Sequence, residues 1–255
     1  MALNDPSTVN EPKSSTPVEV EFRLLLEDYY RRSQGSFNDK LKSFPKFVPR
    51  QHLATFLAKY EIFKRVIGIH GSIVECGVYN GGGLFTFAQV SAILEPINHQ
   101  RRIVGFDTFE GFSELMPEDQ SSASVFARKG GMKADSFEDI LEAIRLFDMN
   151  RALGHMTKVE LVRGDIRETV PRYLRENPHT VISLLYLDLD IYEPTKIALE
   201  LFLPRMPKGA IVAFDELNRE TWPGETVALS KTIGIRSVRL QRFTFEPNIC
   251  YFVVE

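Results

Sequence analysis

Five stretches that read as β-strands each end in an acid: Glu75, Asp107, Asp165, Asp188 and Asp215. Asp is a favoured helix N-cap, so each one alone has an ordinary structural role. Five together call for more, because carboxylates gathered at one edge repel unless something compensates. In an open parallel sheet the C-terminal strand tips line one edge, and ligands bind there. Around Glu75 the chain runs Ile73-Val74-Glu75-Cys76-Gly77-Val78-Tyr79-Asn80-Gly81-Gly82-Gly83. This is a short apolar strand, an acid, and a glycine turn that opens a helix. Such a turn lets a ligand approach the backbone, and the free N–H groups of the helix start favour its negative end. A tight turn with no ligand is the alternative reading of the glycines alone. Asp107, after Ile103-Val104-Gly105-Phe106, is placed to accept both hydroxyls of a ribose. Asp165, in Arg163-Gly164-Asp165-Ile166, can accept from an adenine amino group. With Glu75 and the glycine turn, three consecutive strands then anchor an adenosine-bearing ligand.

The later strand tips differ. Leu187-Asp188-Leu189-Asp190 supplies two carboxylates and Asp215-Glu216 two more. Hard oxygen donors on neighbouring strands suit Mg²⁺, with Asp188, Asp215 and Glu216 as candidate ligands. Asp190 is left as a general base for a hydroxyl whose pKa the metal has lowered. Pro194 suits a first helical position, which puts Asp190 in the strand-to-helix loop. The five histidines (His52, His70, His99, His155 and His179) show no site spacing. Trp222 could stack on a sugar face or sit in the core.

The elements that must position these groups follow from periodicity. From residue 70 onward strands and helices alternate, which predicts a mainly parallel α/β sheet. Strands are expected at 73–75, 102–106, 159–162, 181–187 and 209–214, with helices at 84–94, 166–176, 194–202 and 225–233. Strands at 237–243 and 249–254, joined by a turn holding Pro247-Asn248, predict a closing antiparallel hairpin. Residues 109–157 form an insertion far longer than a normal connection, either a lid or a packed excursion. It holds the acidic run Glu118-Asp119-Gln120-Ser121-Ser122 and a helix over 137–147, and both are placed to select the acceptor. Residues 1–18 read as a flexible tail, 19–70 as a helical cap and 71–255 as the main domain. The cap helices pack on the sheet, cover the cleft or join subunits; a homo-oligomer is the expectation carried forward.

The chain has 255 residues, 44% hydrophobic and 25% charged, with a net charge of −3, ordinary for a soluble globular protein. That charge offers no basic surface for nucleic acid or an anionic membrane. No apolar run approaches the ~20 residues of a membrane span. No signal pattern opens the chain, so a cytoplasmic location is expected. Cys76 and Cys250 read as reduced thiols rather than a disulfide, and no Cys/His cluster suggests zinc.

This constellation resembles the class I S-adenosylmethionine-dependent methyltransferases, and more narrowly the macrocin/mycinamicin-type sugar O-methyltransferases of antibiotic biosynthesis. The residues that carry the resemblance include 74–82 and Gly105-Phe106-Asp107-Thr108-Phe109-Glu110-Gly111-Phe112. They continue with Leu187-Asp188-Leu189-Asp190-Ile191-Tyr192-Glu193-Pro194-Thr195 and Gly209-Ala210-Ile211-Val212-Ala213-Phe214-Asp215-Glu216. The resemblance implies a Rossmann-like, seven-stranded, mostly parallel sheet with a C-terminal antiparallel hairpin and added N-terminal helices. It implies that Glu75, Gly77, Tyr79, Gly81, Asp107 and Thr108 bind the methyl donor and Asp165 its adenine. It implies that Asp188, Asp215 and Glu216 hold Mg²⁺ and that Asp190 is the base. The family usually has Asp-Asp where this chain has Asp215-Glu216, so Glu216 departs from the pattern. The acceptor implied is a sugar hydroxyl, on a deoxysugar of a natural product or a nucleotide-linked sugar such as a rhamnose, with a small phenol as the other acceptor the sequence leaves open. The alternatives are a non-catalytic α/β binding module and a nicotinamide oxidoreductase. Against the latter, Gly77-x-x-x-Gly81 is not G-x-G-x-x-G, and hydride transfer has no use for four late carboxylates.

Overall fold

The computed structural model describes residues 16–120, 124 and 126–255. Residues 1–15 of the expected tail, and Ser121 and Ser122 of the acidic run, lie outside them. Helix α1 (Pro17–Arg32) opens on a capping box, with Glu19 N–H donating to Thr16 Oγ1 and Thr16 N–H donating to Glu19 Oε2. It buries no residue. A short α2 (Phe37–Lys42) leads to α3 (Arg50–Val66), whose Ala58, Lys59, Ile62, Phe63 and Val66 are buried.

The alternating part then runs β1 (Ser72–Cys76), α4 (Gly82–Leu94), β2 (Ile103–Asp107), α5 (Phe137–Met149), β3 (Val159–Arg163) and α6 (Ile166–Glu176). It continues with β4 (Ile182–Leu187), α7 (Tyr192–Phe202), β5 (Ile211–Phe214), α8 (Gly224–Thr232), β6 (Gln241–Arg242) and β7 (Cys250–Val253). The sheet order is β3-β2-β1-β4-β5-β7-β6. Pairing is parallel from β3 to β5, and β7 is antiparallel to both β5 and β6. This is the mostly parallel, seven-stranded sheet with a closing hairpin that the resemblance implies. The chain winds outward from β1 to β3 and then returns to place β4 on the other side of β1. The tips of β1 and β4 therefore flank the switch point where ligands enter such sheets.

Successive strand residues face opposite sides, so both faces are covered. Ile73, Ile103, Leu184, Tyr186 and Ile211 pack on one side with α3, α4 and α5. Val74, Val104, Phe106, Leu185, Leu187 and Phe214 pack on the other with α6, α7 and α8. Cys76 and Cys250 are free thiols. Among the described residues no helix is long and apolar enough to cross a membrane.

Two elements differ from expectation for physical reasons. Helix α7 begins at Tyr192 rather than Pro194, because Asp119, remote in sequence, accepts the Tyr192 N–H at 2.6 Å. A helix's first turn leaves its N–H groups unpaired, so Pro194 fits within it at no cost in hydrogen bonds. The expected strand at 237–243 shrinks to Gln241–Arg242, with a 3₁₀ turn at Ile235–Ser237 before it. Among the described residues it is an edge strand that pairs with β7 alone, and short edges are usual.

Candidate active site

A cleft of about 740 Å³, partly open to solvent, lies at the C-terminal tips of the parallel strands. Gly77, Tyr79, Asp107, Thr108, Asp165, Asp188 and Asp190 line it, so seven of the sequence-predicted residues converge there. Gly77 sits at the switch point with φ +90°, where its N–H donates to Phe106 O and Asp188 N–H donates to Cys76 O. A Cβ on Gly77 would stand 1.7 Å from the Asp188 carbonyl oxygen. Only glycine lets the tips of β1 and β4 close against each other.

At one end of the cleft the carboxylates are supplied with donors. Asp107 Oδ2 accepts from Val78 N–H at 2.7 Å and Tyr79 N–H at 2.9 Å, and Oδ1 accepts from Phe109 N–H at 2.7 Å. Asp107 thus ties the glycine turn to its own loop. Thr108 Oγ1 donates to Gly111 O and shapes the same loop. Tyr79 has φ +50°, and its carbonyl accepts from Ser136 of the insertion. Asp165 is the N-cap of α6, accepting from Arg167 N–H, and it pairs with the Arg167 guanidinium at 2.7 Å. Burial would raise its pKa, but the Arg167 hydrogen bonds outweigh that and hold it below the usual range.

At the other end the carboxylates crowd. Burial, then the Asp215 charge, push Asp188 well above the usual range, with Lys59 working against them. Tyr186 donates its hydroxyl to Asp215. Burial raises Glu216 to about 8 despite Arg219, whose Nε lies 2.6 Å from Glu216 Oε2 in a charge contact without hydrogen-bond alignment. Asp190 adopts φ +62° in the loop between β4 and α7.

Four expected site residues are not in the cleft lining. Glu75 is 1% exposed and points beneath the glycine turn, where Lys59 Nζ lies 3.4 Å from Oε1. Its Oε2 has no hydrogen-bond partner among the described residues, and burial lifts its pKa to about 7 with Lys59 opposing. A Cβ on Gly83 would stand 1.8 Å from Glu75 Oε1, so the bare backbone of α4 makes room for this pair. Gly81 is the N-cap of α4, with φ +81°, and faces Ile140 of α5. Asp215 and Glu216 are not among the lining residues and are held as described.

Among the described residues no three or more His, Cys, Asp or Glu side chains are grouped so as to hold a metal ion. The expected set is therefore not gathered as a closed three-ligand cage. Mg²⁺ needs only one or two carboxylates, with waters and substrate oxygens completing the shell. Asp188 and Asp215, close enough for one charge to disfavour the other, fit that chemistry. Glu216, engaged by Arg219, does not.

Several contributors went unread in the sequence. Lys59 is 5% exposed and sits over the Tyr186 ring at 4.2 Å. It lies on the same helix face as Phe56 and Phe63, and a lysine inside an apolar stripe was its available signal. Phe112, Ser113 and Met132 of the insertion line the cleft, which makes that segment a wall. Trp222 is buried and packs on Phe112 with centroids 5.6 Å apart, so the core reading of this residue holds. All five histidines are exposed, and none lines the cleft.

Sheet order and cleft position together define the class I methyltransferase fold. The sequence model of the macrocin-O-methyltransferase (TylF) family matches residues 48–229, and the chain belongs to that family. Two solved structures of CalS11 are similar. One, described as a calicheamicin methyltransferase, is 36% identical with a TM-score of 0.90 and covers 96% of each chain. The other, described as a TDP-rhamnose 3′-O-methyltransferase of calicheamicin biosynthesis, is 38% identical with a TM-score of 0.81 and covers 94% of this chain and 95% of that one. The O-methyltransferase NovP, 20% identical with a TM-score of 0.59 over 79% of this chain and 80% of that one, shares the fold. A 30% identical relative from Streptomyces olivaceus is an 8-demethyl-8-(2,3-dimethoxy-alpha-L-rhamnosyl)-tetracenomycin-C 4′-O-methyltransferase. That match covers 58% of this chain and 54% of the relative, so the chain spans about half of that protein's length.

Proposed function

We propose that this chain transfers a methyl group from S-adenosylmethionine to a hydroxyl of a sugar, a deoxysugar of the rhamnose type. The carrying observation is a single cleft that runs from the Gly77 turn, Asp107 and Asp165 to Asp188 and Asp190. The activities described for CalS11 and for the Streptomyces olivaceus relative both concern rhamnose units, and they support the acceptor class. The donor supplies an electrophilic methyl on sulfur. The glycine turn, Asp107, Thr108 and Asp165 bind its nucleoside end and fix its direction, so much of the rate comes from proximity. Asp190 takes the proton of the acceptor hydroxyl as that oxygen bonds to the methyl carbon. The carbon–sulfur bond breaks, and the electron pair stays on a neutral thioether. Mg²⁺ is part of the proposal, with Asp188 and Asp215 as its holders; bound there it would screen the crowded pair and acidify a hydroxyl. The exposed apolar side chains Phe22, Leu25, Phe37 and Leu41 of α1 and α2 support self-association, which light scattering tests.

The deciding experiment is transfer of a labelled methyl from S-adenosylmethionine to a panel of rhamnosides and nucleotide-linked rhamnose, with and without EDTA, read by mass spectrometry. A methylated sugar, lost with EDTA, is the expected result. Methylation of phenols alone would overturn the acceptor class, and activity untouched by EDTA would overturn the metal. Donor binding without transfer to any acceptor would favour a binding module, and nicotinamide turnover an oxidoreductase.

A further inference from the structure

Glu225 stands in the first turn of α8 and is 0% exposed. A helix that only had to cover the sheet would carry an apolar side chain there, as it does at Ala228 and Leu229. Burying a carboxylate is unfavourable unless hydrogen bonds replace its water. Glu225 finds them on two separate loops. Its Oε1 accepts from the consecutive N–H groups of Leu189 at 3.1 Å and Asp190 at 3.4 Å, just after β4. Its Oε2 accepts from the N–H of Glu216 at 3.3 Å, just after β5. Successive backbone N–H groups turned to one side make a concavity for an anion. The Asp190 backbone, at φ +62°, is in the left-handed region that few non-glycine residues adopt. Such a conformation persists where surrounding contacts over-determine it.

We infer that Glu225 is a positioning residue: its carboxylate ties the Asp190 loop to the Asp215-Glu216 strand tip and so sets the base against the acceptor. This rests on the methyltransferase reading of the same cleft. The donor end has separate supports, the N–H groups on Asp107 and the Arg167 guanidinium on Asp165, so Glu225 acts on one half of the site. A neutral amide cannot replace it. Glutamine keeps the shape, but its NH₂ must face N–H groups at one of the two ends.

The test uses the full chain with Glu225→Gln and Glu225→Asp. Amide hydrogen exchange is read at Leu189, Asp190 and Glu216, the donor dissociation constant by calorimetry, and kcat and KM with the sugar acceptor. For Glu225→Gln the three amides exchange faster, kcat falls about 10- to 100-fold as expected for a misplaced catalytic group, and donor affinity is unchanged. Glu225→Asp keeps the carboxyl group and both oxygens on a shorter arm. Because the carboxyl oxygens are what the three N–H groups meet, it recovers part of kcat, and it serves as the second variant should glutamine not fold. Unchanged exchange at these amides overturns the clamp. Faster exchange with unchanged kcat, or donor affinity lost in step with kcat, overturns the positioning role and leaves a scaffold residue. A wild-type protein that methylates no sugar refutes the functional reading instead, and the exchange measurement then decides the clamp by itself.

Discussion

At the β2–β3 end of the cleft, Asp107 accepts three backbone N–H groups and Asp165 is paired with Arg167. At the β4–β5 end, Asp188, Glu216 and Glu225 are all pushed above the ordinary carboxylate range, chiefly by burial and then, for Asp188 and Glu225, by neighbouring acids. At the first end local donors hold the carboxylates in place. The second gathers buried acids that disfavour one another's ionisation, with Lys59 opposing this at Asp188 and Arg219 at Glu216. The contrast suits a division of labour. A donor nucleoside needs a fixed cradle, whereas proton removal needs an anionic oxygen poised for use.

The sharpest way to separate the two ends is Asp190→Asn. Turnover should fall about 10²–10⁴-fold, the usual contribution of a general base, with donor affinity intact. Methyl transfer and calorimetry on one preparation check both, and a matching loss of donor affinity would erase the distinction. Next in size is Lys59→Met, which leaves the buried Glu75 carboxyl without its partner in the core. Breaking a buried pair from one side costs about 3–5 kcal/mol, so urea unfolding should show a loss of that order, and adding Glu75→Gln should recover much of it. At the donor end, Asp107→Ala should weaken S-adenosylmethionine binding by about 1–3 kcal/mol, the size of lost charge-assisted hydrogen bonds. An unchanged dissociation constant would remove Asp107 from the cradle.

The smallest effect is a pH slope. Glu216 has its pKa raised from 4.5 to about 8, so the folded state binds its proton more tightly than the unfolded chain does. The contribution of Glu216 to stability is then fully present below 4.5 and is lost as pH rises through about 8. Glu216→Gln should flatten that decline in melting temperature, whereas Asp165→Asn, whose parent carboxyl is held low, should not.

Much of this was legible in residue order. Alternating apolar runs gave the strand sequence, and the acids at their ends converge because parallel strands put every C-terminal tip on one edge. The Asp107 and Asp165 positions were readable for that reason. The start of α7 was not, because the group that accepts its first N–H, Asp119, is remote in sequence. Glu75 looked like its sister acids, yet it turns under α4 toward a lysine from another helix. Nothing in the pattern around Glu225 announces three backbone donors from two loops.

Sequence alone determined the sheet, the edge where ligands meet it and the carboxylates available there, because side-chain alternation and strand direction are local properties. Tertiary structure decided which of those carboxylates are satisfied, which are crowded and which never reach the cleft. Charge compensation is a matter of distance in space, and Lys59, Arg219 and Glu225 become neighbours of the strand tips only once the helices have packed.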